Sequence, residues 1–189
     1  MEKKLDFLIH PYCHRDIKEE DSEHENVAEI KWYEEIEKIS QNPNKFLVIL
    51  ATSTIEEQQQ QEASDQEIIS FAQEKLGNRC IVLPYVETDI SQYADELKKE
   101  LIKRGIINDE DDLQSFSSSA FGEYAEVCVI QIADELNQSL GLRKKTQVSS
   151  HKSLSIDGPD SREVNTAIRS AMNKLNLKRV IASDKKIKK

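Results

Sequence analysis

Residues 46–51 read Phe-Leu-Val-Ile-Leu-Ala, an unbroken apolar run set between Asn42-Pro43-Asn44 and the polar Thr52-Ser53-Thr54. Its length and its aliphatic, β-branched character predict a strand. Working outward, similar short runs stand at Leu5 to Ile9, Cys80 to Leu83 and Val180 to Ala182. Between them the apolar spacing changes to that of a helix. Ala28, Trp32, Ile36 and Ile39 recur at intervals of four, four and three; Ile90, Ala94, Leu97 and Leu101 at four, three and four. Val129, Ala133, Leu136 and Leu140 repeat the pattern. Val164, Ala167, Ile168, Ala171, Met172 and Leu175 form the clearest stripe, since all six positions share one helical face.

The predicted helix ends carry matching chemistry. Ser22 with Glu25, Ser64 with Glu67, Asp89 with Gln92 and Asp160 with Glu163 each place a capping side chain three residues before a carboxylate or amide. Gly77, Gly105 and Gly141 stand where helices should stop. Asn42-Pro43-Asn44 ends the first helix by removing a donor and restricting its neighbour. Leu113 to Phe121 (LQSFSSSAF) and Thr146 to Leu154 are polar. They read as strands from their place in the alternation, the second near a sheet edge. Glu56 to Glu62 (EEQQQQE) is low-complexity and reads as an exposed loop or a helical extension.

About six strands thus alternate with five helices. Such alternation predicts a single doubly wound, three-layer α/β domain over residues 1–184, with a mostly parallel sheet and right-handed crossovers. Residues 185–189, Lys-Lys-Ile-Lys-Lys, form a short basic tail. A chain of 189 residues with 38% apolar and 32% charged side chains can bury a core, and disorder is disfavoured. No apolar run approaches the roughly 20 residues of a spanning helix, and the opening Met-Glu-Lys-Lys-Leu-Asp lacks the apolar stretch of a signal peptide. Three widely spaced cysteines, Cys13, Cys80 and Cys128, suit a reducing compartment and so a cytoplasmic protein.

Lys and Arg number 26 against 35 Asp and Glu, a net charge of −9. The last twelve residues hold six basic side chains and one acidic, so the body is more acidic than the total suggests. An acidic body repels phosphates, which disfavours a nucleic-acid partner. A small molecule or a protein, including a second copy of this chain, remains open as partner.

In a doubly wound sheet ligands bind beyond the carboxyl ends of the strands, where strand order reverses. The first strand is followed by His10-Pro11-Tyr12-Cys13-His14-Arg15-Asp16, and the serine-rich strand by Gly122-Glu123-Tyr124-Ala125-Glu126-Val127-Cys128. In the common strand order these two strands are neighbours, so the two clusters are expected to share one crevice. Three of the five glycines are accounted for as helix stops and Gly158 as a turn. Gly122 is left at a strand-to-helix junction, where backbone turns tightly or approaches a ligand. No G-x-G-x-x-G or Walker A motif occurs, so no nucleotide cofactor is implied. No G-x-S-x-G elbow accompanies Ser115 or Ser117 to Ser119, which argues against a serine hydrolase.

The segment GEYAEVCV, Gly122 to Val129, resembles the nucleophile segment of the isochorismatase-like cysteine hydrolases, with Gly122, Cys128-Val129 and Ala133 in matching positions and Arg104-Gly105 upstream. The resemblance implies a six-stranded parallel sheet and places the nucleophile on Cys128. A thiol in the first turn of a helix is favoured as thiolate by the helix dipole. Where the family has an Asp closing its first strand, this chain has His10-Pro11; where it has a Lys, the chain has Pro84-Tyr85-Val86-Glu87. With the Asp replaced, His10 or His14 is the candidate base for Cys128. Gly122, Glu123, Tyr124 and Tyr12 are the candidate ligand-binding residues. The resemblance thus implies a hydrolase of a small amide or ester, and beside it stands a non-catalytic protein of the same fold that binds a small ligand or a protein partner. Cys128 also has the spacing of a core position on the stripe through Ile132 and Leu136, and His10, Cys13 and His14 offer nitrogen and sulfur ligands for zinc, with Cys128 or Asp16 completing the set.

Overall fold

The computed structural model describes residues 2–9, 22–50, 63–83, 90–122, 125–153 and 161–183. Six strands and five helices alternate among them: β1 (Lys4–Ile9), α1 (Ser22–Ser40), β2 (Lys45–Leu50), α2 (Ala63–Leu76), β3 (Cys80–Leu83), α3 (Ile90–Lys103), β4 (Ser117–Gly122), α4 (Ile130–Ser139), β5 (Thr146–Ser149), α5 (Ser161–Lys174) and β6 (Val180–Ser183). All five pairings are parallel, in the order β3-β2-β1-β4-β5-β6. Strand order therefore reverses between β1 and β4, as the alternation predicted.

Both faces of the sheet are covered because both are apolar. Every residue of β1 and β2 after the first is buried, a pattern that needs helices above and below. Since side chains alternate along a strand, Leu5, Phe7 and Ile9 of β1 join Val48 and Leu50 of β2 in one core with residues of α3, α4 and α5. Leu8, Leu47, Ile49 and Phe121 form the other core, with Trp32, Ile36 and Ile39 of α1 and Ile68, Ala72 and Leu76 of α2. A buried side chain of this size contributes about 1.5–3 kcal/mol relative to leaving it in water. No helix among the described residues is long and apolar enough to cross a membrane.

The polar strands depart from their expected limits. Only the second half of Leu113 to Phe121 is strand. The first half belongs to a 3-10 turn, Glu110–Ser115, capped by Asp109, whose side chain accepts from the N–H groups of Asp111 and Asp112. β5 ends at Ser149 rather than Leu154. It lies one place in from the β6 edge. β4 occupies the middle of the sheet despite its serines, because their hydroxyls have partners. Ser118 Oγ pairs with Thr146 Oγ1 at 2.8 Å, and Asn137 Nδ2 donates to the same threonine at 2.9 Å. Ser119 Oγ donates to the carboxylate of Asp6. A polar side chain is tolerated in a core when it is hydrogen-bonded there.

Candidate active site

Ile9, the last residue of β1, is paired with Gly122, the last of β4. The two strands thus end side by side, at the reversal of strand order. Gly122 has φ +149°, and a Cβ there would lie 2.0 Å from the carbonyl oxygen of Ile9. No other residue fits without moving β1 or β4. The Gly122 amide donates to Ser153 Oγ at 3.3 Å.

The chain re-enters helix at Ala125–Val129 as a π-helical turn that continues directly into α4. Such turns carry one extra residue per hydrogen-bonded ring and occur often at functional sites. Ala125 and Val129 are buried, Val127 is exposed and Cys128 is half-buried, packed against the core beneath α3, α4 and α5. Its sulfur is not in a disulfide. Cys80, on the edge strand β3, is 3% exposed. Burial pushes its thiol up to about 12, an effect that the Arg104 guanidinium only partly offsets. Of the two described cysteines, Cys128 is the accessible one.

Gly122 thus ends β4, and Cys128 lies in the π-helical turn that precedes α4. His10, Tyr12, Cys13, His14, Asp16, Glu123 and Tyr124 lie outside the described residues, as does the tail at 185–189. Among the described residues no group of three His, Cys, Asp or Glu side chains is placed to hold a metal ion.

A second set of polar residues, which no motif had marked, lies under α1 on the opposite face of the sheet. Asp6, in the middle of β1, is fully buried and meets Lys4 Nζ at 2.8 Å as well as Ser119. Glu35 of α1 is 2% exposed and meets Lys152 Nζ at 2.5 Å. Lys152 belongs to the segment just after β5. Its ammonium also stands 5.5 Å from the centre of the Phe121 ring, and its carbonyl accepts from Trp32 Nε1 at 2.9 Å. Burial pulls the Lys152 ammonium below its usual value; the charge of Glu35, its hydrogen bond and the charge of Asp6 oppose that, while Lys4 adds to it. Asp6 was visible only as one carboxylate inside an apolar run, and Glu35 as one inside a helical stripe.

No family model and no curated protein matches this chain. Among solved structures it is similar to the MAR1 ribonuclease from Caenorhabditis elegans, with a TM-score of 0.52 and 13% identity over 93% of this chain and 81% of that one. It is also similar to a glucose-6-phosphate dehydrogenase in complex with glucose-6-phosphate, with a TM-score of 0.49 and 11% identity over 97% of this chain and 37% of that one. At 13% identity the likeness to MAR1 shows a shared fold.

Proposed function

We propose that this chain is a divergent isochorismatase-like domain acting as a cysteine-dependent hydrolase of a small amide or ester. Cys128 is the nucleophile, His10 or His14 the base, and Gly122, Glu123, Tyr124 and Tyr12 line the crevice. The observation that carries this reading is the pairing of Ile9 with Gly122, which starts both reactive loops at one point of the sheet. The half-buried position of Cys128 in a π-helical turn and the fold shared with MAR1 support it.

The chemistry balances without a cofactor. Imidazole takes the thiol proton, and the thiolate attacks the substrate carbonyl to give a tetrahedral species. Collapse forms a thioester and expels the amine or alcohol, which leaves with the proton held by imidazolium. Water, deprotonated by the same imidazole, then cleaves the thioester and returns the thiol. MAR1 is named a ribonuclease, but a net charge of −9 makes a polyphosphate substrate unfavourable here.

The test is acylation by p-nitrophenyl acetate at neutral pH, followed by intact-mass and peptide mass spectrometry. The expected result is an acetyl group on Cys128, with turnover falling at least 100-fold in Cys128→Ala. Turnover that survives this substitution refutes the reading. A second reading, a ligand- or partner-binding protein of the same fold without chemistry, is favoured by the packing of Cys128 against the apolar core. It predicts no acetyl group at Cys128.

A further inference from the structure

Four residues after β5, Ser150-His151-Lys152-Ser153, are tied to three different parts of the molecule. Ser150 Oγ donates to the carbonyl of Ser183 on β6 at 3.4 Å. Lys152 is held by α1 twice, through its ammonium on Glu35 at 2.5 Å and through its carbonyl on Trp32 Nε1 at 2.9 Å. Ser153 Oγ accepts from the Gly122 amide at 3.3 Å. Ser150 and Ser153 are each 1% exposed. A segment with no secondary structure of its own is therefore pinned from edge strand to central strand by side-chain bonds.

We propose that this segment is a latch whose clasp is the Lys152–Glu35 ion pair, and that the clasp holds the Gly122 turn and the π-helical turn after it in their observed places. The position of Cys128 is then controlled from α1, on the far face of the sheet. The inference holds whether or not Cys128 performs chemistry, since it concerns where the thiol is held.

The ion pair is a poor device for stability. Glu35 is buried and Lys152 is half-buried, and replacing a pair withdrawn from water by apolar side chains of like volume is often neutral or stabilising. What the pair does supply is selectivity of position, because either charge left alone in the core is costly. The lowered affinity of Lys152 for its proton agrees that burial outweighs the attraction of Glu35 and Asp6. The charged groups that face Lys152 are Glu35 from α1 and Asp6 and Lys4 from β1, and of the two carboxylates it is Glu35 that meets its ammonium directly, Asp6 being paired with Lys4.

The latch is testable with the protein's own thiols. With Cys13 replaced by Ser, Cys128 reports on the turn, while Cys80, deep in β3 on the other side of the sheet, reports on global unfolding. In Lys152→Met and in the milder Glu35→Gln, labelling of Cys128 by a maleimide is expected to quicken at least tenfold with Cys80 unchanged. Hydrogen exchange at the Gly122 amide should quicken with it. Equal acceleration of both thiols, or no change at Cys128 and Gly122 in either variant, overturns the proposal. Acetylation of Cys128 is not the readout, so failure of the latch and failure of the hydrolase are separate results.

Discussion

Cys80 and Cys128 show how far surroundings decide what one side chain does. Cys80 faces the core under α1 and α2, and its neutral thiol is the form that burial favours. Its proton is held up to about pH 12, against a usual value of 9.0. The unfolded chain gives up that proton near pH 9 and the folded chain keeps it. Unfolding in this interval therefore releases a proton, and stability falls as pH rises through it. The largest slope for one group is about 1.4 kcal/mol per pH unit. Urea unfolding at pH 8 and pH 10 should accordingly show the parent chain losing about 1 kcal/mol more than Cys80→Ala over that range. Equal losses in the two proteins show that the thiol is not shielded as described.

At the scale of elements, Arg79, in the 3-10 turn Gly77–Arg79 before β3, ties the end of α1 to the start of β2. Its guanidinium donates to the carbonyls of Ile39, Ser40, Asn42 and Lys45, at 3.2, 2.9, 2.7 and 3.0 Å. These oxygens close α1 and open β2, and two of them are among the helix-end acceptors that have no partner within the helix. A single planar fork reaches all four, which an ammonium on a flexible stem does not. Charged hydrogen bonds of this kind contribute about 1.5–3 kcal/mol. Arg79→Ala should lower the unfolding free energy by about 2 kcal/mol, and Arg79→Lys should recover less than half of it. Full recovery by lysine, measured by urea midpoint, shows that only the charge matters. Arg79 also illustrates what a sequence hides. The apolar runs and the helical stripes were legible because each is decided by its own spacing. The bonds of Arg79 to α1 and β2 span 34 to 40 residues, and that of Trp32 to Lys152 spans 120. Nothing near any of these residues marks its partner. The misjudged limits differ in origin: the cap of Asp109 on Asp111 and Asp112 is local, whereas Lys152 and Ser153, beyond the end of β5, are bonded to residues distant in sequence.

For the molecule as a whole, the strand order brings the ends of β1 and β4 together, which alternation and the common doubly wound order let one foresee. Gly122 was recognisable as the glycine that no helix end explained. The buried charges were not recognisable, since Asp6 and Ser119 lie 113 residues apart and meet only across the β1–β4 pairing. The sign of the molecule's field is a further whole-chain property, and it separates two uses of the fold. A surface that binds RNA must collect cations along the path of the phosphates. Here 35 acidic side chains face 26 basic ones, and six of the basic ones are confined to the last twelve residues. Repulsion by the body outweighs attraction by so short a stretch once salt screens both to a range of about 8 Å. Fluorescence anisotropy with a labelled single-stranded RNA at 150 mM salt should therefore show no binding tighter than roughly 10 μM, the affinity range of ordinary non-specific binders. At 20 mM salt any weak association should disappear when residues 185–189 are removed. Binding at 150 mM salt that survives this truncation requires a basic surface on the body, and overturns the charge argument against a nucleic-acid partner.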